Sequence, residues 1–196
     1  MTVNTLFTIG HSTHSLEEFV RLLNEHLIVR IADVRSIPKS RHCPQFNADA
    51  LEASLHAAGI GYTHIPTLGG RRHSRKDSIN TGWRNTSFRG YADYMATPQF
   101  AQGLEELMRI ARAETAAVMC AEVVPWRCHR SLIADALIVK GWDVRDILSA
   151  QPATPHRLTP FLKVVDGVVT YPAESEPPEA GTLPLFGRQE PAGERD

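Results

Sequence analysis

Cys120, Glu122, Cys128, His129 and Arg130 fall within one stretch, "CAEVVPWRCHR". Two thiols, a carboxylate, an imidazole and a guanidinium this close together can do three kinds of chemistry. A thiol attacks only as its thiolate, which a neighbouring imidazole, a cation or a helix N-terminus makes easier to reach. An arginine holds a phosphate or carboxylate by paired hydrogen bonds. Thiolates and imidazoles also ligate transition metals.

An apolar run, Ala116–Met119, leads into Cys120, and the residues from Ser131 onward read as a helix. Cys128, His129 and Arg130 therefore stand where unpaired N–H groups and the positive end of a helix dipole favour an anion. Cys128 is the expected nucleophile, being nearer the helix start. Cys120 either lines the substrate site or is a small buried residue at a strand end. Glu122 and His129 are expected to move protons. Cys120, Cys128 and His129, with His11 as a fourth ligand, are the alternative as a metal site, although their spacing is not that of a C-x2-C finger. No other cofactor is expected.

The elements that must position these groups follow from local patterns. "TLFTIG", "LIVRIADV", "IGYTHI", "TAAVMCAE" and "WDVRDIL" read as strands. "SLEEFVRLLNEH" has apolar residues at helical spacing, with Ser15 as cap and Glu18 three residues on. "NADALEASLHAAG" opens on an asparagine cap and closes at Gly59. "YADYMATPQFAQGLEELMRIARAE" reads as a helix broken near Pro98, and "SLIADALIVKG" as another. "FLKVVDGVVTYP" reads as a hairpin about Asp166-Gly167. Strands alternating with helices predict an α/β fold, a mostly parallel sheet with helices on both faces and a short C-terminal hairpin. One domain is expected over 1–172, followed by a disordered acidic tail over 173–196.

Ligands of such a sheet bind beyond the carboxyl ends of its strands. The first strand ends at His11 and Ser12, and the second at Asp33 and Arg35, with Arg41 just after. The third ends at His64, ahead of Gly69, Gly70 and Arg71, and the fourth at Cys120 and Glu122. The expected catalytic set is thus Cys128, His129, Glu122, Asp33 and His11. The expected substrate-binding set is Ser12, Arg35, Arg41, His64, Gly69, Gly70, Arg71, Cys120 and Arg130. Asp33 is either a general base or the partner that orients Arg35. Gly69 and Gly70 have a plain alternative, a turn that needs positive φ.

The formal net charge of −1 names no partner, but it hides a body near +3 and a tail at −4. The 71–89 loop is the most basic part, with Arg71, Arg72, Arg75, Lys76, Arg84 and Arg89 against Asp77 alone. Such a loop suits a phosphate-bearing small molecule or a nucleic acid. Three cysteines do not make a disulfide framework. No segment resembles a signal peptide and none approaches the length of a membrane span, so a cytoplasmic protein without a membrane partner is expected.

Five segments carry a resemblance: "TIGHSTHSLEEFVRLL", "DVRSIPKSRHCPQF", "YTHIPTLGG", "FRGYADYMATPQFAQGL" and "MCAEVVPWRCHRSLIADAL". On these the chain resembles the domain-of-unknown-function 488 family. The resemblance implies an α/β sandwich of cytoplasmic proteins and a shared site drawn from His11, Ser12, Asp33, Arg35, Arg41, His64, Cys120, Glu122, Cys128, His129 and Arg130. It brings no activity with it. "IADVRS" and "VMC…HRSLIADALIVKGWDV" are similar to rhodanese-type domains, but Arg127 and Arg130 stand farther from Cys120 than that loop design has its arginine. The tail's "TLPLF" is similar to peptides that dock on the bacterial sliding clamp, with Leu183, Leu185 and Phe186 as apolar anchors. The leading expectation is a thiol- or acid/base-dependent hydrolase or transferase. A DNA-associated accessory protein tethered to the clamp, and a Cys/His metal protein, are the alternatives.

Overall fold

The computed structural model of the chain describes residues 4–173, and the tail motif at Leu183, Leu185 and Phe186 lies outside them. β1 (Thr5–Gly10), β2 (Arg30–Asp33), β3 (Gly61–His64), β4 (Ala116–Cys120) and β5 (Asp143–Ile147) form the parallel body of one sheet. The two-residue β6 (Thr154–Pro155) adds an antiparallel edge, and the spatial order is β3-β2-β4-β1-β5-β6. The α/β fold expected from the alternation is therefore what the chain adopts.

β4 shows why two helical layers are needed. All five of its residues are buried. Ala116, Val118 and Cys120 join one apolar cluster, while Ala117 and Met119 join the other. This is the two-residue alternation of a strand covered on both faces. α1 (Leu16–Glu25) and α2 (Ala48–Ala57) cover one face through Phe19, Leu22, Leu23, Leu51 and Leu55. α3 (Thr86–Tyr94), α4 (Pro98–Ala113) and α5 (Arg130–Val139) cover the other through residues such as Tyr91, Phe100, Leu104 and Leu132. Phe19 is fully buried, and its replacement by alanine would cost about 3–5 kcal/mol.

The helix starts follow side-chain caps. Ser15 accepts from the Glu18 N–H at 3.1 Å, and Thr97 accepts from Phe100 ahead of Pro98 at the first helical position. Asn47 holds the cap position of α2, but its Oδ1 accepts instead from the Ser40 N–H at 2.6 Å, which ties down the irregular stretch after β2. The stretch read as a basic loop ends sooner than expected: Asn85 caps α3 through the Ser87 N–H, so residues 86–89 are helical.

The expected hairpin is β7 (Lys163–Val165) and β8 (Val168–Thr170). Its turn has φ of 50° at Asp166 and 78° at Gly167, as a two-residue turn of matching twist requires. The strand end that follows pins the basic loop. The Tyr171 N–H donates to Asn80, whose amide donates to Asp93, and the Gly82 N–H donates to the Tyr171 carbonyl. The loop is thus held in place although most of it is exposed. Among the described residues no helix is long and apolar enough to cross a membrane.

Candidate functional site

Parallel pairing brings the strand ends to one edge. Gly10 pairs with Cys120, and Asp33 pairs with both Met119 and His64. A Cβ on Gly10 would stand 1.8 Å from the Glu122 carbonyl oxygen, so only glycine lets the loop after β4 fold back over the end of β1. The chain then turns at Ser12 through φ of 45°, a strained conformation for this residue type. The Ser12 N–H is fixed by the Ala121 carbonyl at 2.8 Å.

A cavity of about 580 Å³ opens at this edge, with Cys120, Cys128 and His129 in its wall. Sγ of Cys128 and Sγ of Cys120 lie 3.7 and 3.9 Å from Nδ1 of His129. The three ligand atoms all fall within 4.8 Å of one another. The other ring nitrogen, Nε2, is 3.1 Å from the Val34 carbonyl. A carbonyl only accepts, so Nε2 carries the proton and Nδ1 is the nitrogen left to face the sulfurs. A Cβ on Gly70 would stand 2.3 Å from that Nδ1. Gly69 would meet the Ser36 hydroxyl at 2.5 Å. Neither glycine has positive φ, so close approach, not turn geometry, is what they supply.

The two thiols differ. A hydrogen bond from Cys120, then the Arg130 charge and its backbone N–H, hold the Cys128 thiol down at about 7. The same hydrogen bond, with burial, pushes the Cys120 thiol up. Cys128 is therefore the more readily ionised of the two thiols, and Cys120 its neutral neighbour.

Cationic side chains line the same cavity: Lys39, Arg71 and Arg127, with Arg35 at its inner wall and Glu122 as the acidic member. Arg71 is held through its backbone N–H by the Ser36 hydroxyl at 3.1 Å, which leaves its guanidinium to the opening.

Several expected residues do other work. Arg130 is 1% exposed, and its guanidinium is filled by the Glu122 carbonyl and the Val123 carbonyl, each at 2.6 Å, and by the Thr8 hydroxyl at 3.2 Å. It clamps the loop after β4 and has no face for a substrate anion; its charge reaches the site through Cys128. Asp33 is fully buried and receives the Arg35 backbone N–H, its guanidinium, and the Tyr62 hydroxyl at 2.8 Å. It orients Arg35 and is not placed as a base. His64 bonds the Arg35 carbonyl at 2.8 Å, and Arg41 is exposed and lines none of the hollows described below.

His11 lines the cavity, in surroundings that disfavour its charged form. Burial, then the Arg35 guanidinium, lower it to about 4. Arg35 NH1 donates to Nε2 at 3.3 Å, and Nδ1 is 2.9 Å from the Ser12 carbonyl, which fixes the neutral tautomer. The ring stacks on Phe46 at 4.2 Å.

Sequence reasoning placed Lys39 and Cys43 only in an irregular stretch, read Arg127 only as a spacing, and passed over Ser87 and Phe88; all five line the cavity. Lys39 and Arg127 follow β2 and β4 on the same edge, so the rule that located Arg35 and Glu122 extends to them.

A family model described as "Domain of unknown function DUF488" matches residues 15–137. No curated protein and no solved structure matches the chain, so the likeness to rhodanese-type domains gains no support.

Proposed function

We propose that this chain, which belongs to the domain-of-unknown-function family DUF488, is an enzyme whose Cys128 thiolate attacks a phosphate-bearing substrate held by Lys39, Arg71 and Arg127. The observation that carries the reading is the meeting of Cys128 Sγ, Cys120 Sγ and His129 Nδ1 in a cavity lined by those three cations. A nucleophile beside a base that a third group orients is the general pattern of covalent catalysis. Here the Val34 carbonyl is the orienting group.

The step balances as a displacement. The Cys128 S–H proton passes to His129 Nδ1. The thiolate forms an S–P bond, the P–O bond to the leaving group breaks, and the departing oxygen takes the proton back from Nδ1. Water, or a second hydroxyl in a transfer, then attacks phosphorus and gives its proton to Nδ1, and the S–P bond breaks to release Cys128 as the thiolate, which Nδ1 reprotonates. Lys39, Arg71 and Arg127 stabilise charge on the phosphoryl oxygens.

A metal centre is the second reading, and one observation favours it. The separations of 3.7 and 3.9 Å between Nδ1 and the sulfurs are close to the ~3.6 Å edge of a tetrahedral zinc site. Cys120, Cys128 and His129 would hold the ion, with the Val34 carbonyl fixing the imidazole as a metal ligand is normally fixed. Zinc there would supply Lewis-acid chemistry to a phosphoryl oxygen.

Protection and elemental analysis test both. On the thiolate reading, inorganic phosphate slows alkylation of Cys128, and protein purified without affinity nickel carries no stoichiometric metal. One equivalent of zinc, lost in Cys120→Ala, selects the metal reading. Alkylation indifferent to phosphate, pyrophosphate and nucleotides refutes a phosphate-bearing substrate.

A further inference from the structure

The cavity is not closed. It shares Gly70, Arg71 and Ser87 with a hollow that adds Arg72 and His73. It also shares Phe88, Glu122 and Arg127 with a depression that adds Trp83 and Trp126. These two tryptophans in turn border a hollow of about 910 Å³ that adds Phe161, His156 and Arg157. Through these shared residues the four adjoin one another as a track, with the Cys128 centre in the first.

Two properties of this track go together. Arg71, Lys39, Arg127 and Arg157 supply positive charge along it, while the Arg72 guanidinium is stacked on the Tyr94 ring at 3.7 Å; the acids are Glu122 and an Asp146 that His156 already pairs at 2.8 Å. Aromatic faces are interleaved with the cations. Trp126 is 65% exposed, in the turn Pro125–Arg127 that leads to Cys128. Trp83, beside it, packs against Phe88 at 4.7 Å and Phe161 at 5.0 Å. Its Nε1 is buried with no hydrogen-bond partner among the described residues.

Basic side chains alternating with available aromatic faces recognise single-stranded nucleic acid, where phosphates follow the cations and unstacked bases lie on the rings. A mononucleotide would need one such ring and one anion pocket. A duplex hides its base faces and could not use Trp126. We infer that the substrate is a single-stranded nucleic acid laid along this track, with one phosphodiester at Cys128 and a flanking base stacked on Trp126. This inference rests on the reading of the central cavity as a phosphate site and names the substrate class for it.

The test uses the full chain carrying Cys128→Ser, so that nothing is turned over, and a fluorescent oligothymidylate of roughly eight residues, within the usual span of such grooves. Binding is expected to weaken steeply with salt, as phosphate contacts dictate, and to quench tryptophan emission. Trp126→Ala is expected to weaken the oligonucleotide roughly tenfold or more and to leave inorganic phosphate binding unchanged. A duplex of the same length is expected to bind more weakly than the single strand.

Oligonucleotide affinity no greater than that of thymidine monophosphate, or unaffected by Trp126→Ala, would overturn the inference. So would a duplex that binds as tightly as the single strand. Phosphate protection of Cys128 in the unmodified chain is a separate readout: protection without oligonucleotide preference removes the track and leaves the phosphate site standing. A change in Trp126 emission on Leu185→Ala/Phe186→Ala, with no nucleic acid present, would mean that the chain's own segment fills the groove, and also overturns the inference.

Discussion

Gly70 lies so close to the His129 ring that a Cβ on it would stand 2.3 Å from Nδ1. The ring cannot retreat freely, because its Nε2 is bonded to the Val34 carbonyl. Gly70→Ala should therefore push the imidazole away from Cys128 at an overpacking cost of about 1–3 kcal/mol. The chain should remain folded by circular dichroism while turnover, or metal content on the second reading, is lost. Normal turnover with a displaced ring would show that Nδ1 takes no part.

Cys128 should react as a thiol with a midpoint near pH 7. The readout is the rate of iodoacetamide alkylation against pH, in a Cys43→Ala background with the labelled residue identified by peptide mapping, because Cys120 and Cys128 are both buried in the cavity wall. Cys120→Ala removes the hydrogen bond that holds the thiolate down and should move the midpoint upward, toward the ordinary thiol value. An unmoved midpoint would assign the activation to Arg130 and the α5 N-terminus instead.

Arg130→Met should destabilise the protein by about 2–4 kcal/mol, because it strands the Glu122 and Val123 carbonyls and the Thr8 hydroxyl. Urea unfolding measures it. The loop between β4 and α5 should loosen in the same variant, seen as faster amide exchange around residues 121–128. A loss of phosphate protection without a loss of stability would return Arg130 to the substrate.

Two buried histidines should shape stability in opposite directions. Burial opposes the charge on His156, but the Asp135 carboxylate 3.7 Å from Nε2 and the Asp146 carboxylate bonded to Nδ1 at 2.8 Å outweigh it and raise the group to about 9. Its contribution is complete below the unfolded value near 6.5 and is lost as pH rises through 9. His11, lowered to about 4, contributes fully above 6.5, and that contribution fades as pH falls toward 4. Unfolding free energy should pass through a maximum between these limits. His156→Gln should flatten the alkaline side by about 3 kcal/mol and leave the acidic side as it was. An alkaline limb that survives in this variant would assign it to other groups.

Element types, and the edge where chemistry gathers, are legible in the chain of residues alone, because both follow from local signals. Alternation of apolar residues, caps such as Ser15 and Thr97, and the Asp166-Gly167 turn act within a few residues of chain. A parallel sheet then fixes which ends face the ligand, so His11, Ser12, Glu122 and Cys128 could be placed at one edge before their contacts were known.

What each of those groups is free to do depends on contacts made across the fold. Arg35, Arg41 and Arg130 look alike as letters, yet one is paired with Asp33, one stands in solvent and one is consumed by main-chain carbonyls. Carbonyl acceptors belong to every residue and leave no mark in the sequence, so a buried guanidinium filled by them cannot be told from an open one. The strand order is decided the same way: β4 lies between β1 and β2, which sets Val34 beside His129 and leaves Nδ1 to the two sulfurs. Pairing between strands far apart in the chain, and the hydrogen bonds it hands out, come from global packing and not from any local pattern.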